Sequence, residues 1–412
     1  MSEPLVVIGN GMAAARFADE LSTRALGRYA VAVIGEEPRL AYNRVLLSSV
    51  LAGEVASSEI ELKPTTWWRD RGITLRYGCR ATAIDVAART IALADGQALP
   101  FSKLVFATGS QPLRPPIPGM TLPGVITFRD VNDIWTMWHR AGTDDRVVVI
   151  GGGLLGLEAA YGLAKAGARV TVLHLMDRLM ERQLDPQAAR MLQQAVEQMG
   201  IEVVLNADTA EISGTNHVDG VVLKDGRRIE ADAVVVAIGI RPNADLARAA
   251  EIAVKRGIVV DDALETNVPG IYAIGECAEH RGNVYGLVEP AYEQARVLAE
   301  RLAGRSARYA GSVLATNLKV SGVNLFSAGG FLGSAGAEEI LLSDPGLGIY
   351  KKLVIADGCL TGAVLFGDTA DGLWYLDLIR SGANIDKIRD ELAFGRALAE
   401  RAAPSADARL AA

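Results

Sequence analysis

The chain has 412 residues, half of them hydrophobic and 22% charged, and its 42 basic and 49 acidic side chains leave a net charge of −7. That length exceeds what one hydrophobic core organises, so two or three domains are expected, and the apolar content excludes disorder for most of the chain. The acidic balance argues against a nucleic-acid binder, which carries a basic excess. Only three cysteines occur, Cys79, Cys277 and Cys359, with no CxxC pair. A structural zinc site or a cysteine-ligated cluster therefore lacks ligands, and no metal is expected. The apolar run at 5–8 is too short for a signal peptide or a membrane span, so a soluble, cytoplasmic protein without a membrane partner is expected.

In chain order, short β-branched runs recur, each followed by glycine and an alanine-rich helical stretch, the pattern of parallel α/β sheets. The run at 5–8 leads into Gly9-Asn10-Gly11-Met12-Ala13-Ala14, a GxGxxA turn opening a helix. Gly9 permits the sharp turn, Gly11 leaves room for a pyrophosphate, Ala14 keeps the helix near the sheet, and the N–H groups at Met12 and Ala13 face the phosphates. The next strand, 30–34, ends at Gly35-Glu36-Glu37, where Glu36 is the expected ribose ligand. A second strand, 147–150, leads into Gly151-Gly152-Gly153-Leu154-Leu155-Gly156, a full GxGxxG. Gly151, Gly153, Leu154, Leu155 and Gly156 repeat the same roles, and two such fingerprints imply two dinucleotides side by side. The acid position after the following strand, 168–173, holds His174. A carboxylate that would repel a 2′-phosphate is thus absent there, so a dinucleotide with a free 2′-hydroxyl is expected to bind with incomplete rejection of its 2′-phosphorylated form. Near the C-terminus, 349–355 and 359–366 read as a hairpin joined by Ala356, Asp357 and Gly358, and 373–380 reads as a helix. Residues 402–412 read as a loose tail.

These motifs resemble those of the FAD-dependent pyridine-nucleotide reductases with two dinucleotide-binding domains. Phe106-Ala107-Thr108-Gly109-Ser110 is similar to that family's ATG turn, and 236–243, with Gly239, to its counterpart closing the NAD(P) domain. Ile271-Tyr272-Ala273-Ile274-Gly275-Glu276 is similar to the late FAD motif, with Glu276 in place of the commoner aspartate on the ribityl chain. The resemblance implies two Rossmann-like domains: an FAD domain of 1–115 and 245–310, interrupted by an NAD(P) domain of 116–244. A small α+β domain, 311–412, follows for docking or dimerisation, without a cofactor of its own. It also implies FAD contacts for Arg44 and Arg129, an adenine contact through the backbone of Ala81, and a place near the nicotinamide amide for Glu158, the candidate catalytic residue.

Disulfide reductases of this superfamily carry a cysteine pair shortly after the first acid, whereas Tyr42-Asn43-Arg44-Val45-Leu46-Leu47-Ser48-Ser49 has no sulfur. Cys277 reads as a small buried residue. The segment at 42–49, together with 173–185, 285–290 and 316–329, resembles the flavoprotein portion of assimilatory NAD(P)H nitrite reductases and nitrate reductase electron-transfer subunits. An electron-input flavoprotein, without the cysteine-rich cluster and sirohaem domains of the former, is therefore expected. The expected function is an FAD-dependent NAD(P)H:acceptor oxidoreductase feeding a separate nitrate or nitrite reductase component. A rubredoxin, ferredoxin or haem-protein reductase is the alternative within redox chemistry, and a flavin-bound redox sensor the alternative from another class; a homodimer is possible in each.

Overall fold

A computed structural model of the chain describes residues 2–140, 142, 144–320 and 323–402. The chain divides into two compact units, each assembled from separated stretches of sequence. Of the loose tail expected at 402–412, Ala402 instead ends the helix Arg396–Ala402, and 403–412 lie outside the described residues.

The first unit comprises Met1–Leu113, Arg129–Ile134 and Gly239–Ser312. Its centre is a five-stranded parallel sheet in the order Ile271–Ala273, Lys103–Phe106, Glu3–Ile8, Tyr29–Gly35, Thr74–Tyr77. The β-branched runs suit this position because the central strands are covered on both faces: Leu5, Val7, Val33, Leu104, Val105 and Phe106 have no exposed surface. The helix Met12–Arg24, which follows the first strand, packs against Val288–Leu302, which follows the last. A three-stranded antiparallel sheet, 81–100, is set in the same unit.

The second unit comprises Arg114–Phe128, Trp135–Ile238 and Val313–Ala412. Its parallel sheet runs Glu202–Val204, Arg169–Leu173, Arg146–Ile150, Ala233–Val236, Val125–Thr127. The C-terminal stretch adds a five-stranded antiparallel sheet in the order Ala315–Val320, Val323–Gly329, Cys359–Phe366, Ile349–Ala356, Glu338–Asp344. The expected hairpin is present: Ala356 pairs with Cys359, and Asp357 and Gly358 both have positive φ (51° and 70°), as a two-residue turn matched to strand twist requires. The expected helix spans Gly372–Ser381 and buries Tyr375 and Leu376 against this sheet. The chain is therefore of the α/β class, with two Rossmann-like parallel sheets and a C-terminal α+β element.

One long-range contact ties the C-terminal sheet to the rest of its unit. Asp185 caps the helix Pro186–Gln198 by accepting from Ala188 N–H, and its other oxygen accepts a 2.6 Å hydrogen bond from the Tyr350 hydroxyl. Both residues are buried. Tyr350→Phe is expected to cost about 1.5–3 kcal/mol, because a buried carboxylate loses a charge-assisted partner. Denaturant unfolding checks this, and a loss below about 0.5 kcal/mol would show that the contact does not stabilise the fold.

Candidate functional site

In the first unit, the glycines of the GxGxxA turn have separable structural causes. Gly9 has φ +116°, and a Cβ there would lie 2.0 Å from the Ala107 carbonyl oxygen, so the crossing of two loops admits glycine alone. A Cβ on Gly11 would meet nothing within 4 Å. Steric demand from the protein does not explain this glycine, and the open space above it is the cradle that a phosphate group requires. The helix beginning at Met12 has no side-chain cap, leaving its first N–H groups pointed at that space. Ala13 and Ala14 follow on the first turn, with Ala14 fully buried.

The other expected segments of this unit converge on the same helix end. A Cβ on Gly275 would lie 3.0 Å from Ala13 Cβ, which puts the late motif beside the first helix. Glu276 accepts from Ser110 Oγ at 2.7 Å and pairs with Arg129. Arg44 donates to the Arg129 carbonyl at 2.9 Å and pairs with Glu37. Thr108 and Asn243 exchange two hydrogen bonds, Thr108 Oγ1 to the Asn243 carbonyl and Asn243 Nδ2 to the Thr108 carbonyl, which holds the ATG turn and the turn after Gly239 together. Gly109 (φ +63°) approaches Arg129 and Glu276 closely enough that a Cβ would lie 3.8 and 3.9 Å from them. Gly239 (φ +125°) borders open space.

Glu36 stands apart from this network, its side chain 71% exposed and 3.8 Å from Arg80. Ala81 opens an antiparallel strand and is half-buried against the unit's core. Sequence reasoning passed over Glu37, whose carboxylate pairs with Arg44 and accepts from the Tyr42 hydroxyl, and Asn10, whose amide donates to the Arg39 carbonyl. Asn10 packs on Gly35 and leaves its Oδ1 buried with no partner among the described residues. Gln294 is fully buried, and its Oε1 accepts from Gly275 N–H at 2.7 Å. No local pattern signals these roles, although the doubled acid at 36–37 could have drawn attention to Glu37. Cys277 is buried as expected, and burial pushes its thiol up from its ordinary range.

The second unit repeats the arrangement. Gly151 has φ +122° and a Cβ there would lie 2.4 Å from the Ala237 carbonyl oxygen, while a Cβ on Gly153 would meet nothing within 4 Å. A Cβ on Gly156 would strike Gly151 O at 1.8 Å, so the third glycine serves helix–strand packing. Leu154 and Leu155 open the helix without a side-chain cap. Glu158, one turn in, has no hydrogen bond or ion pair among the described residues, and desolvation pushes its carboxyl up to about 7. His174 is buried, and its Nδ1 accepts from Gly152 N–H at 3.0 Å while Nε2 lies 3.1 Å from Glu181 Oε2.

Two open cradles, each framed by a glycine that only the backbone crossing demands, fit two dinucleotide phosphates. The sequence pattern of the pyridine nucleotide-disulphide oxidoreductases matches residues 3–295. The chain belongs to this family. The C-terminal domain of rubredoxin NAD+ reductases matches residues 315–383. Among relatives in the family, nitrite reductase [NAD(P)H] of Bacillus subtilis is 45% identical over 93% of this chain and 48% of its own length. The assimilatory nitrate reductase electron transfer subunit of the same organism is 41% identical over 94% of this chain and 50% of its own length. The chain thus spans about half the length of these two relatives. The crystal structure of the ferredoxin reductase for the CYP199A2 system of Rhodopseudomonas palustris superposes with a TM-score of 0.85 at 28% identity, covering 95% of this chain and all of that one. Among the described residues, no helix is long and apolar enough to cross a membrane.

Proposed function

We propose that this chain is an FAD-dependent NAD(P)H:acceptor oxidoreductase that delivers electrons to a separate redox partner of nitrate or nitrite assimilation. The duplicated cradle, open above Gly11 and Gly153, is the observation that carries this reading. When bound, FAD supplies the redox chemistry, accepting a hydride from the pyridine nucleotide and yielding electrons to the acceptor. The stretches 1–115 and 245–310 hold FAD, 116–244 hold NAD(P)H, and 311–412 serve docking or dimerisation. Gly9, Gly11, Met12, Ala13 and Ala14 seat the FAD pyrophosphate, with Glu36 on the ribose, Ala81 at the adenine and Glu276 on the ribityl chain. Arg129 and Arg44 hold Glu276 and its neighbourhood in place, and Thr108, Gly109, Gly239 and Gly275 shape the turns around it. Gly151, Gly153, Leu154, Leu155 and Gly156 seat the second pyrophosphate.

Glu158 is the candidate catalytic residue, positioned for the nicotinamide carboxamide. With a pKa near 7 it changes between donor and acceptor at neutral pH, so it can meet either end of that amide. A cytoplasmic location fits this role. A rubredoxin reductase is the second reading, favoured by the match at 315–383.

The test is anaerobic: the purified protein is expected to be yellow, to be bleached by NADH, and to recover its colour on adding a one-electron carrier protein. Absence of bound flavin, or a flavin that NADH leaves oxidised, defeats the reading. A bleached flavin that rubredoxin reoxidises faster than a nitrite or nitrate reductase component selects the second one.

A further inference from the structure

The segment after the strand Arg169–Leu173 folds back onto the glycine turn of the second fingerprint. Gly152 is held at both backbone groups: its N–H donates to His174 Nδ1 at 3.0 Å, and its carbonyl accepts from Met180 N–H at 3.0 Å. A Cβ on Gly152 would lie 2.7 Å from His174 Cγ and 2.6 Å from Leu179 Cδ2, so the imidazole lies directly on the turn. Because Nδ1 accepts, the ring proton sits on Nε2 and is donated to Glu181 Oε2 at 3.1 Å. The glycine turn, the histidine and the glutamate therefore form one hydrogen-bonded line. The second oxygen, Oε1, is 3.6 Å from Nε of Arg182, whose side chain is 86% exposed, and accepts no hydrogen bond among the described residues.

The first unit solves the same packing problem the other way round. There the side chain stands on the turn, at Asn10, and the strand end is glycine: a Cβ on Gly35 would lie 2.5 Å from Asn10 Cβ. In the second unit the turn is glycine and the ring comes from the strand end. His174 thus occupies the packing space rather than extending into the position of a ribose ligand, and the nearest carboxylate it carries is that of Glu181.

We propose that Glu181 is the specificity-determining carboxylate of the pyridine-nucleotide site, with His174 as its positioning residue. Resting on the assignment of the second fingerprint to NAD(P)H, this restores the negative charge that the sequence lacks at residue 174. Glu181 accepts from the adenosine ribose hydroxyls of NADH and repels the 2′-phosphate of NADPH. Arg178, paired with Asp177 at 2.9 Å and with its Nε buried and unpartnered among the described residues, and Arg182 would favour that phosphate once the glutamate charge is removed. Selection of NADH is accordingly stronger than a histidine alone provides.

The test uses the flavin-loaded full chain and two probes that lack nicotinamide, ADP-ribose and 2′-phospho-ADP-ribose, titrated calorimetrically. Glu181→Gln keeps an oxygen for His174 Nε2–H and removes only the charge. The variant is expected to bind ADP-ribose about tenfold more weakly, the scale of a lost charge-assisted hydrogen bond. It should bind the 2′-phosphorylated probe as tightly as wild type or more so, with kcat for NADH retained and its KM raised. A preference between the probes that moves by less than twofold, or an equal loss for both, overturns the proposal, since a purely structural glutamate gives one of those results. Wild-type protein that binds neither probe and whose flavin NADH leaves oxidised overturns the nucleotide-site assignment itself, and the role of Glu181 with it.

Discussion

At pH 8, without nucleotide, the Glu158→Gln variant is expected to be more stable than wild type by up to about 3 kcal/mol, and at pH 4.5 by almost nothing. The ordinary carboxyl value is 4.5, and desolvation raises it to about 7 in the fold. Every tenfold gain in proton affinity on folding corresponds to about 1.4 kcal/mol between protonation states. The folded state binds the proton more tightly than the unfolded chain, so wild-type stability is greatest below pH 4.5. It falls as pH rises from there and is fully reduced once pH passes 7. Glutamine keeps the volume and does not ionise, so it escapes that loss. Denaturant midpoints at both pH values measure the difference, and a gain of the same size at pH 4.5 and pH 8 would show that burial of charge is not its cause. A group kept at such a cost on the helix Leu154–Lys165 is a candidate for function, because desolvated carboxyls titrating near neutrality concentrate at active sites. The same variant should shift the pH dependence of the NADH KM near 7.

The sequence made the two fingerprints legible because their chemistry is local: a buried strand, a turn and a helix within about a dozen residues carry the whole signal. The hairpin at 349–366 was equally readable, since Asp357-Gly358 can adopt the positive φ values that its turn imposes. What escaped the sequence depends on distance along the chain. Tyr350 and Asp185 are 165 residues apart, and Arg129 and Glu276 are 147 apart; neither member of either pair sits in a pattern that names its partner. Three of the five C-terminal strands went unread as strands: Ala315–Val320 and Val323–Gly329 registered only as a stretch resembling relatives, and Glu338–Asp344 is largely exposed, without the continuous apolar run of a buried strand. His174 shows a third kind of gap. Its departure from the usual acid was visible, but the ring's contact with Gly152 and Glu181 follows from the chain folding back at Met180, whose φ of 50° has no local sequence signature.

Substitutions at Gly9 and Gly11, two residues apart, are expected to fail in opposite ways. Gly9→Ala places a Cβ 2.0 Å from a backbone carbonyl at a φ of +116°, and a backbone atom cannot move aside as a flexible side chain can. The cost should exceed about 3 kcal/mol and appear as lost folded protein, with or without flavin. Gly11→Leu is different: φ is −103°, which any residue adopts, and the new side chain enters open space. Flavin-free Gly11→Leu should therefore unfold at the same denaturant concentration as flavin-free wild type, while its flavin content after purification falls at least tenfold. Gly153→Leu, with φ −85° and an equally open Cβ position, is the companion change. It should retain full flavin yet bind ADP-ribose at least tenfold more weakly, because the proposed function assigns its cradle to the other dinucleotide. Measured together, the three variants separate what the fold needs from what each ligand needs. A Gly11→Leu protein that keeps its full flavin would show that the space above Gly11 is not the pyrophosphate site, whereas flavin loss in Gly153→Leu with nucleotide binding intact would mean the two cradles had been assigned to the wrong cofactors.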